Sequence, residues 1–283
     1  MYIPFVATDS AIDAQSGDAL HLSIQSDLSG FCFCVLNLDR RKYVAFKSIP
    51  YAQPIVDYND MKPALNTLLE GEPLLSASFN SVSYLYASRH ATIIPKPMLD
   101  CSLLKSFLEF NNPINELDEV HSHAIPHMNA VVAFTVPSPF AATLLEKYGN
   151  VKFFHQSVPM LKHLQEHAGM YNPENLFAVN IGNGFADVAL YAHGALKIYN
   201  TFTLHAPEDL TYFMLAIAHR QQIPEKKINV LLSGDVEPYI GEFPSLFHAL
   251  TPAMPHTQMS FAYELSSVAG HHFTHLFSLY ECA

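Results

Sequence analysis

The sequence is poor in positive charge. Lysine and arginine together number 15 in 283 residues, against 26 aspartates and glutamates, for a formal net charge of −11. Those 15 do not cluster, so the chain has no basic face with which to neutralise phosphates, and nucleic acid and anionic membrane surfaces are excluded as expected partners. No apolar run approaches the ~20 residues needed to span a bilayer. The first residues lack a basic region followed by an apolar stretch, so no signal peptide and no membrane insertion are expected, and the chain is expected in the cytoplasm. Cysteine is scarce. Cys32 and Cys34 lie two apart in a strand-like run and share one face, where a disulfide fits poorly, and Cys101 and Cys282 are isolated. Reduced thiols acting as small hydrophobes suit a reducing compartment. There is no fixed-period repeat, which argues against solenoids and propellers. No Gly-x-x-x-x-Gly-Lys-Ser/Thr loop and no Gly-x-Ser-x-Gly elbow is present.

What the chain does have is apolar content. Hydrophobic residues make up 49% and charged residues 14%, well below the usual quarter, so a large ordered core is expected. Residues 1–18 read as polar and irregular. Three short strands follow: LHLSIQS, with Leu20, Leu22 and Ile24 on one face, then FCFCVLN and YVAFKSIPY, with turns at Asp27–Gly30 and Asp39–Arg41. MKPALNTLLE has helical spacing, residues 72–97 mix strand and helix signals, and CSLLKSFLEF is a helix that stops before Pro113. AVVAFTVP reads as a buried strand. Ser138 is placed to cap a helix carrying Pro139 at its first position, and Gly149 stops it. VKFFHQS and VPMLKHLQEHAGM read as strand and helix.

A second run of three strands, LFAVNI, GFADVALYA and ALKIYNTFTLH, turns at Gly182–Gly184 and His193–Gly194. Pro207-Glu208-Asp209 opens a long helix with acids at its positive end. KINVLLSG is a strand, followed by a helix near 237–250, a short strand and a last helix near 270–281. Two βββα units in one chain suggest a duplicated α/β layer plan, with a first lobe over 1–170 and a second over 171–283.

Particular residues then resemble the actin, heat-shock-chaperone and sugar-kinase superfamily. Asn180, Ile181, Gly182, Asn183, Gly184, Phe185, Ala186 and Asp187 follow the order of its second phosphate-binding hairpin: Asp, an apolar residue, three residues rich in glycine, two variable residues, Asp. AVVAFTVPSPF is similar to the chaperone strand ending in Val-Pro. NVLLSGD is similar to the turn that contacts adenosine, and SIQSDLSGFCFCV aligns with the first phosphate hairpin. The motifs spread over about residues 20–235. They also resemble an uncharacterised bacterial family of actin-like proteins, akin to pilus-assembly actin homologues. The resemblance implies a two-lobed actin-like (ribonuclease H-like) fold with mixed sheets flanked by helices. It makes Asp27, Gly30, Asn180, Gly182, Gly184, Asp187 and Gly234 the candidate nucleotide-binding residues.

Against that pattern the acids are missing. Phosphoryl chemistry needs backbone N–H groups at the phosphates, a metal held by carboxylates and a group that orients water. The resemblance puts the magnesium-holding aspartate at Asn180 and the catalytic glutamate near Ser157, so no catalytic residue is assigned. Ser29 stands where the first hairpin has glycine, and Asp235 where the last turn has its second glycine. A carboxylate at 235 would repel phosphates that it faced. Each glycine also has an ordinary explanation, because Asn-Gly and Asp-x-Ser-Gly are common hairpin turns.

Three functions stay open. First is a non-catalytic scaffold or interaction module with an unidentified protein partner and no cofactor. Next comes a switch that binds ATP with magnesium and hydrolyses it slowly or not at all. Last is a small-molecule kinase, for which no general base is recognisable. The 16 histidines include His163 with His167, His121 with His123 and His127, and His271 with His272 and His275. None carries a CxxC or HExxH pattern, so no metal is expected, and His155 reads as a satisfied core histidine.

Overall fold

A computed structural model describes residues 4–9, 19–111, 113–168, 175–224, 228–240, 249–252, 259–264 and 267–283. The first strands, β2 (Leu20–Ser26), β3 (Gly30–Asn37) and β4 (Lys42–Pro50), pair antiparallel in sequence order. β1 (Phe5–Thr8) pairs antiparallel with β4 on its outer side. β5 (Ser81–Tyr86) and β9 (Lys152–His155) then add parallel to β2, in the order β1-β4-β3-β2-β5-β9. The second sheet repeats this plan. β10 (Asn175–Gly182), β11 (Phe185–Ala192) and β12 (Ala195–Thr203) form a meander, and β13 (Asn229–Gly234) and β14 (Ala249–Pro252) add parallel to β10, giving β12-β11-β10-β13-β14. Third, second, first, fourth and fifth strands thus sit side by side in both sheets. The expected duplication is present at the level of strand order.

Period-two patterning decides which side chains meet. Phe177, Val179 and Ile181 of β10, with Val188 and Leu190 of β11 and Val230 and Leu232 of β13, form one core with Leu210, Met214, Ile217 and Ala218 of α5 (Pro207–Arg220). The alternate residues Leu176, Ala178, Ala189 and Leu231 join the first sheet's core through Val158, Met160, Leu161 and Leu164 of α4 (Ser157–Ala168). Helix α4 therefore lies between the sheets. At about 1.5–3 kcal/mol per fully buried aliphatic side chain, these four side chains bind the two sheets firmly. Because Asn180, Asp187 and Ser233 have the same parity as these alternate residues, they too face α4 and the first sheet.

α1 (Tyr58–Gly71) is capped by Asp57, whose carboxylate accepts from Asn59 N, and buries Met61, Leu65 and Leu69 at helical spacing. It packs beside α3 (Ser138–Tyr148). Pro137, not Ser138, occupies the N-cap of α3, and no side chain caps it. Proline supplies the extended entry and Ser138 is already helical, so the expected serine cap does not form.

Between β5 and α3 the chain makes a separate antiparallel sheet, β6 (Ala91–Pro95), β8 (Ala130–Pro137) and β7 (Asp118–Ile125), in that spatial order. α2 (Leu104–Glu109) covers it through Leu108, which meets Ile94 and Ala133. Strand β7 has no counterpart in the sequence reading. It is an edge strand, half exposed, so its polar composition (DEVHSHAI) hides its period.

The C-terminal segment returns to the first sheet. β15 (Ser260–Phe261) pairs parallel with β4. Phe273, Leu276 and Phe277 pack on Cys32, Cys34, Leu36, Tyr43 and Phe46, and Tyr43 Oη donates to the carbonyl of Phe277. All four cysteines are free.

Three expectations change. Phe5–Thr8 in the supposedly irregular start is a strand, while residues 10–18 lie outside the described residues. The helix expected near 237–250 is α6 (Glu237–Ile240) and then strand β14, with 241–248 outside the described residues. The last helix is three pieces, α7 (Ser267–His272), α8 (Thr274–Phe277) and α9 (Leu279–Cys282). At the breaks Thr274 Oγ1 donates to Gly270 O and Ser278 Oγ to Thr274 O, a local competition that bends helices. No helix among the described residues is long and apolar enough to cross a membrane.

Candidate functional site

The cleft between the sheets is bounded by three turns. In the first, Asp27 accepts from Ser29 N at 2.5 Å, Ser29 Oγ at 2.7 Å and Gly30 N at 3.1 Å through one oxygen, Oδ1. These bonds close the β2–β3 hairpin as an Asx turn. Burial raises the Asp27 pKa, opposed by the bonds from Ser29 and Gly30. Ser29, standing in place of glycine, supplies two of the three donors.

In the second turn, Gly182 pairs with Phe185 across the β10–β11 hairpin, and Gly184 takes φ +74°. The Phe185 ring lies on Gly182, where a built Cβ would sit 2.4 Å from it. That glycine makes room for an aromatic ring from its own hairpin. In the third turn, Gly234 has φ +84°, a Cβ there would fall 2.1 Å from Ile181 O, and Asp235 N donates to the same carbonyl at 3.0 Å. Gly234 thus lets β13 end tightly against β10.

Beneath the turns lies a buried polar network. Asp187 is fully buried. Its Oδ1 accepts from Tyr199 Oη at 2.9 Å and Thr201 Oγ1 at 2.7 Å, and its Oδ2 from Gln156 Nε2 at 3.0 Å and Asn180 Nδ2 at 3.2 Å. Four donors replace the water that a carboxylate needs. Burial still raises its pKa, and the four bonds oppose the rise. Ser233 Oγ in turn lies 3.3 Å from Asn180 Oδ1. Asn180 therefore turns its amide toward a neighbouring carboxylate, where a second carboxylate would demand a cation.

Gln156 connects this network to the first sheet. Its Nε2 also donates to Ser88 O at 2.5 Å, and its Oε1 accepts from Ser88 N at 3.2 Å. The adjacent His155 donates Nε2–H to Ser88 O at 3.0 Å, and its Nδ1 accepts from Ser157 Oγ at 2.8 Å. Burial first, with the bond to Ser88 opposing, lowers the His155 pKa to about 3, so the ring is neutral and both nitrogens are satisfied. Ser157 is thus a hydrogen-bond partner of a core histidine at the start of α4.

The space left is small. Gln25, Asp27, Gln156, Asn180, Gly182, Phe185, Gly234, Asp235 and His275 surround a cavity of about 50 Å³, far below the roughly 300–1,000 Å³ of ligand pockets. A second cavity of about 480 Å³ lies on the other side of Phe185, between Asp27, Tyr58, Ser88, Arg89, Asp118, Gly184 and Thr203. Arg89 crosses to the second sheet there, donating to Thr203 Oγ1 at 2.8 Å. Asp118 accepts from Tyr58 Oη at 2.7 Å.

The fold brings Asp27, Asn180, Gly182 and Gly234 to the small cavity. Gly184 faces the larger one, Asp187 lies under both in the network, and Gly30 serves the Asp27 turn. Sequence reasoning did not single out Gln156, Tyr199 or Thr201, and it took Phe185 only as a variable position of the hairpin pattern. The consecutive polar residues His155-Gln156-Ser157 closing an apolar strand were the available signal.

Elsewhere, α2 and β6 frame an apolar groove of about 450 Å³ lined by Ile94, Pro95, Met98, Leu103, Phe107 and Phe110. Met98 is 65% and Phe110 88% exposed, and both line the same groove, so its apolar wall is open to solvent.

Comparison with known proteins agrees with the architecture. A Bacteroides thetaiotaomicron VPI-5482 protein with actin-like ATPase fold and unknown function superposes with a TM-score of 0.75 at 18% identity, over 95% of this chain and 99% of that one. A structure of the PilM-PilN type IV pilus biogenesis complex superposes with a TM-score of 0.59 at 12% identity, covering 92% and 97%. Identities this low establish the fold, which is the two-lobed actin-like ATPase fold, and nothing about activity. No curated protein sequence matches the chain. A family model does match residues 9–251, and the chain belongs to that family, described as Protein of unknown function (DUF3822).

Proposed function

We propose that this chain is a non-catalytic actin-like scaffold whose nucleotide cleft has been converted into a structural lock and whose partner is another protein. One observation carries the proposal. Asn180 donates to Asp187, and Gln156 ties the same carboxylate to Ser88 of the first sheet. A phosphoryl-transfer site needs carboxylates free to hold a metal and a gap for phosphates between the hairpins. Here the buried carboxylate is consumed by four neutral donors, and the Phe185 ring covers the glycine hairpin. The exposed apolar groove beside α2 supports protein docking, because apolar surface of this kind on a stable domain marks a partner site. The PilM neighbour comes from a structure of a protein complex, which fits the same reading.

A second reading, an ATP-binding switch, rests on the cavity of about 480 Å³ beside Gly184, which is large enough for a ligand. A thermal-shift titration separates the two. A ligand that binds only the folded state raises the melting point, by about 2.7 kcal/mol of stability at 100 times Kd. The scaffold reading expects no shift with millimolar ATP or ADP, with or without magnesium. A rise of several degrees that requires magnesium overturns it in favour of the switch.

A further inference from the structure

Outside the cleft network, one cluster of side chains has the composition of a metal site. Glu237 opens α6 directly after the β13 turn, and His271 and His272 close α7. His271 Nε2 lies 2.9 Å from Glu237 Oε1, and His272 Nε2 lies 3.0 Å from Glu237 Oε2. The three donor atoms all fall within 4.8 Å of one another. The two imidazole rings stack with centroids 4.8 Å apart.

These contacts do not amount to a satisfied hydrogen-bonded trio. Both imidazoles are buried, and His272 Nε2 has no hydrogen-bond partner among the described residues although the Glu237 carboxylate is 3.0 Å away. The carboxylate sits beside this nitrogen but off its N–H direction. A metal ion needs only the lone pair and tolerates that arrangement.

We propose that Glu237, His271 and His272 form a binding site for a zinc-type divalent ion that staples the turn after β13 to the C-terminal helices. Two imidazoles and one carboxylate are a donor set suited to zinc, and zinc takes tetrahedral coordination at about 2.0–2.2 Å. Donors around such an ion stand about 3.3 Å apart, so the 2.9 and 3.0 Å contacts to the two carboxylate oxygens open by a few tenths of an ångström, while any donor pair near the 4.8 Å limit closes by up to about 1.5 Å. The Glu237 side chain is 47% exposed, leaving an entry path and a fourth position for water. The consequence is mechanical. Glu237 extends from the second sheet, while α7 runs within a few residues into Phe273 and Phe277, which pack on the first. An ion here links the ends of both sheets beside the small cavity, independently of whether that cavity binds anything.

The test is calorimetric titration of Zn²⁺ into chelator-treated full-length chain, with Co²⁺ absorption as a second readout. One ion per chain, and the visible bands of four-coordinate Co²⁺, are expected. Glu237→Gln and His272→Gln should each weaken affinity by more than the roughly 10–100-fold that loss of an outer-shell partner costs. His127→Gln, at an exposed histidine elsewhere, should leave it unchanged. If the wild-type chain binds no ion tighter than about 100 μM, the proposal fails. It fails equally if the folded site variants retain full affinity. The Co²⁺ spectrum of the wild-type chain decides the matter should the variants not fold.

Discussion

Replacing Asn180 with aspartate restores the residue that the actin-like pattern carries and places a second carboxylate against Asp187. The Asn180 Nδ2 to Asp187 Oδ2 distance is 3.2 Å, and both residues are buried. Two unit charges at that separation repel by about 5 kcal/mol at an effective dielectric of 20. The pair can instead take up a proton. Holding one carboxyl protonated at pH 7 against an ordinary pKa near 3.9 costs about 4 kcal/mol at 1.36 kcal/mol per unit. The smaller figure sets the loss, so Asn180→Asp should destabilise the metal-free protein by about 4 kcal/mol at pH 7. The sign with pH follows. Both carboxyl groups would have raised folded-state pKa values, so the folded variant holds a proton that the unfolded chain releases. The deficit therefore shrinks on acidification, to about 1.5 kcal/mol at pH 5 relative to wild type. Magnesium or manganese should recover stability at pH 7 in the variant and not in the wild type, because only the variant offers paired carboxylates. Urea denaturation at both pH values, with and without the ion, measures all of this. A variant as stable as wild type at pH 7 without metal, or a deficit independent of pH, would refute the electrostatic account of the cleft.

Other perturbations probe neighbouring parts. Gly234→Ala should lower stability by at least about 2 kcal/mol, since φ +84° and the Ile181 carbonyl both exclude a Cβ, and thermal melting reads it directly. Phe185→Ala should cost about 3 kcal/mol and join the small cavity to the larger one; a fluorescent nucleotide that binds the variant but not the wild type would show that the ring is the plug. Burial is the leading cause that lowers His21 to a pKa of about 4, and His155 and His275 to about 3. A histidine with a depressed folded pKa contributes stability that is present above about 6.5 and lost as pH falls, so the unfolding free energy from denaturant titrations should drop steeply from pH 6.5 to 5, by up to about 4 kcal/mol per pH unit for the three together. Phe110→Ser, at a side chain 88% exposed, should change stability by less than about 0.5 kcal/mol, and under the scaffold proposal it should abolish retention of whatever protein the wild-type immobilised chain holds.

Much of the architecture was legible because it rests on local signals. Alternation in LHLSIQS, the continuous apolar, β-branched run AVVAFTVP, proline at 137 and glycine at 149, and the acidic first turn of α5 each act over a few residues, and the strands and helices they announce are present. Two meanders in sequence sufficed to expose the duplication. The candidate site was legible only as a set of positions. Strand parity brings Asn180, Asp187 and Ser233 to one face, but nothing in the sequence says that Gln156, from a separate strand end, reaches the same carboxylate. Nor does it say that Gly182 is small to admit Phe185.

The sequence by itself determined the βββα repeats and the charge deficit, since composition and period-two burial are properties of short stretches, and only its resemblance to the actin-like pattern sets Asn180 where that pattern has aspartate. Tertiary structure alone decided the rest. The C-terminal helices return to cover Cys32 and Cys34, α4 is shared between the sheets, and Glu237 meets two histidines from a distant segment. Those outcomes depend on which faces remain uncovered once both sheets have formed, and that is settled by packing between residues far apart in the chain.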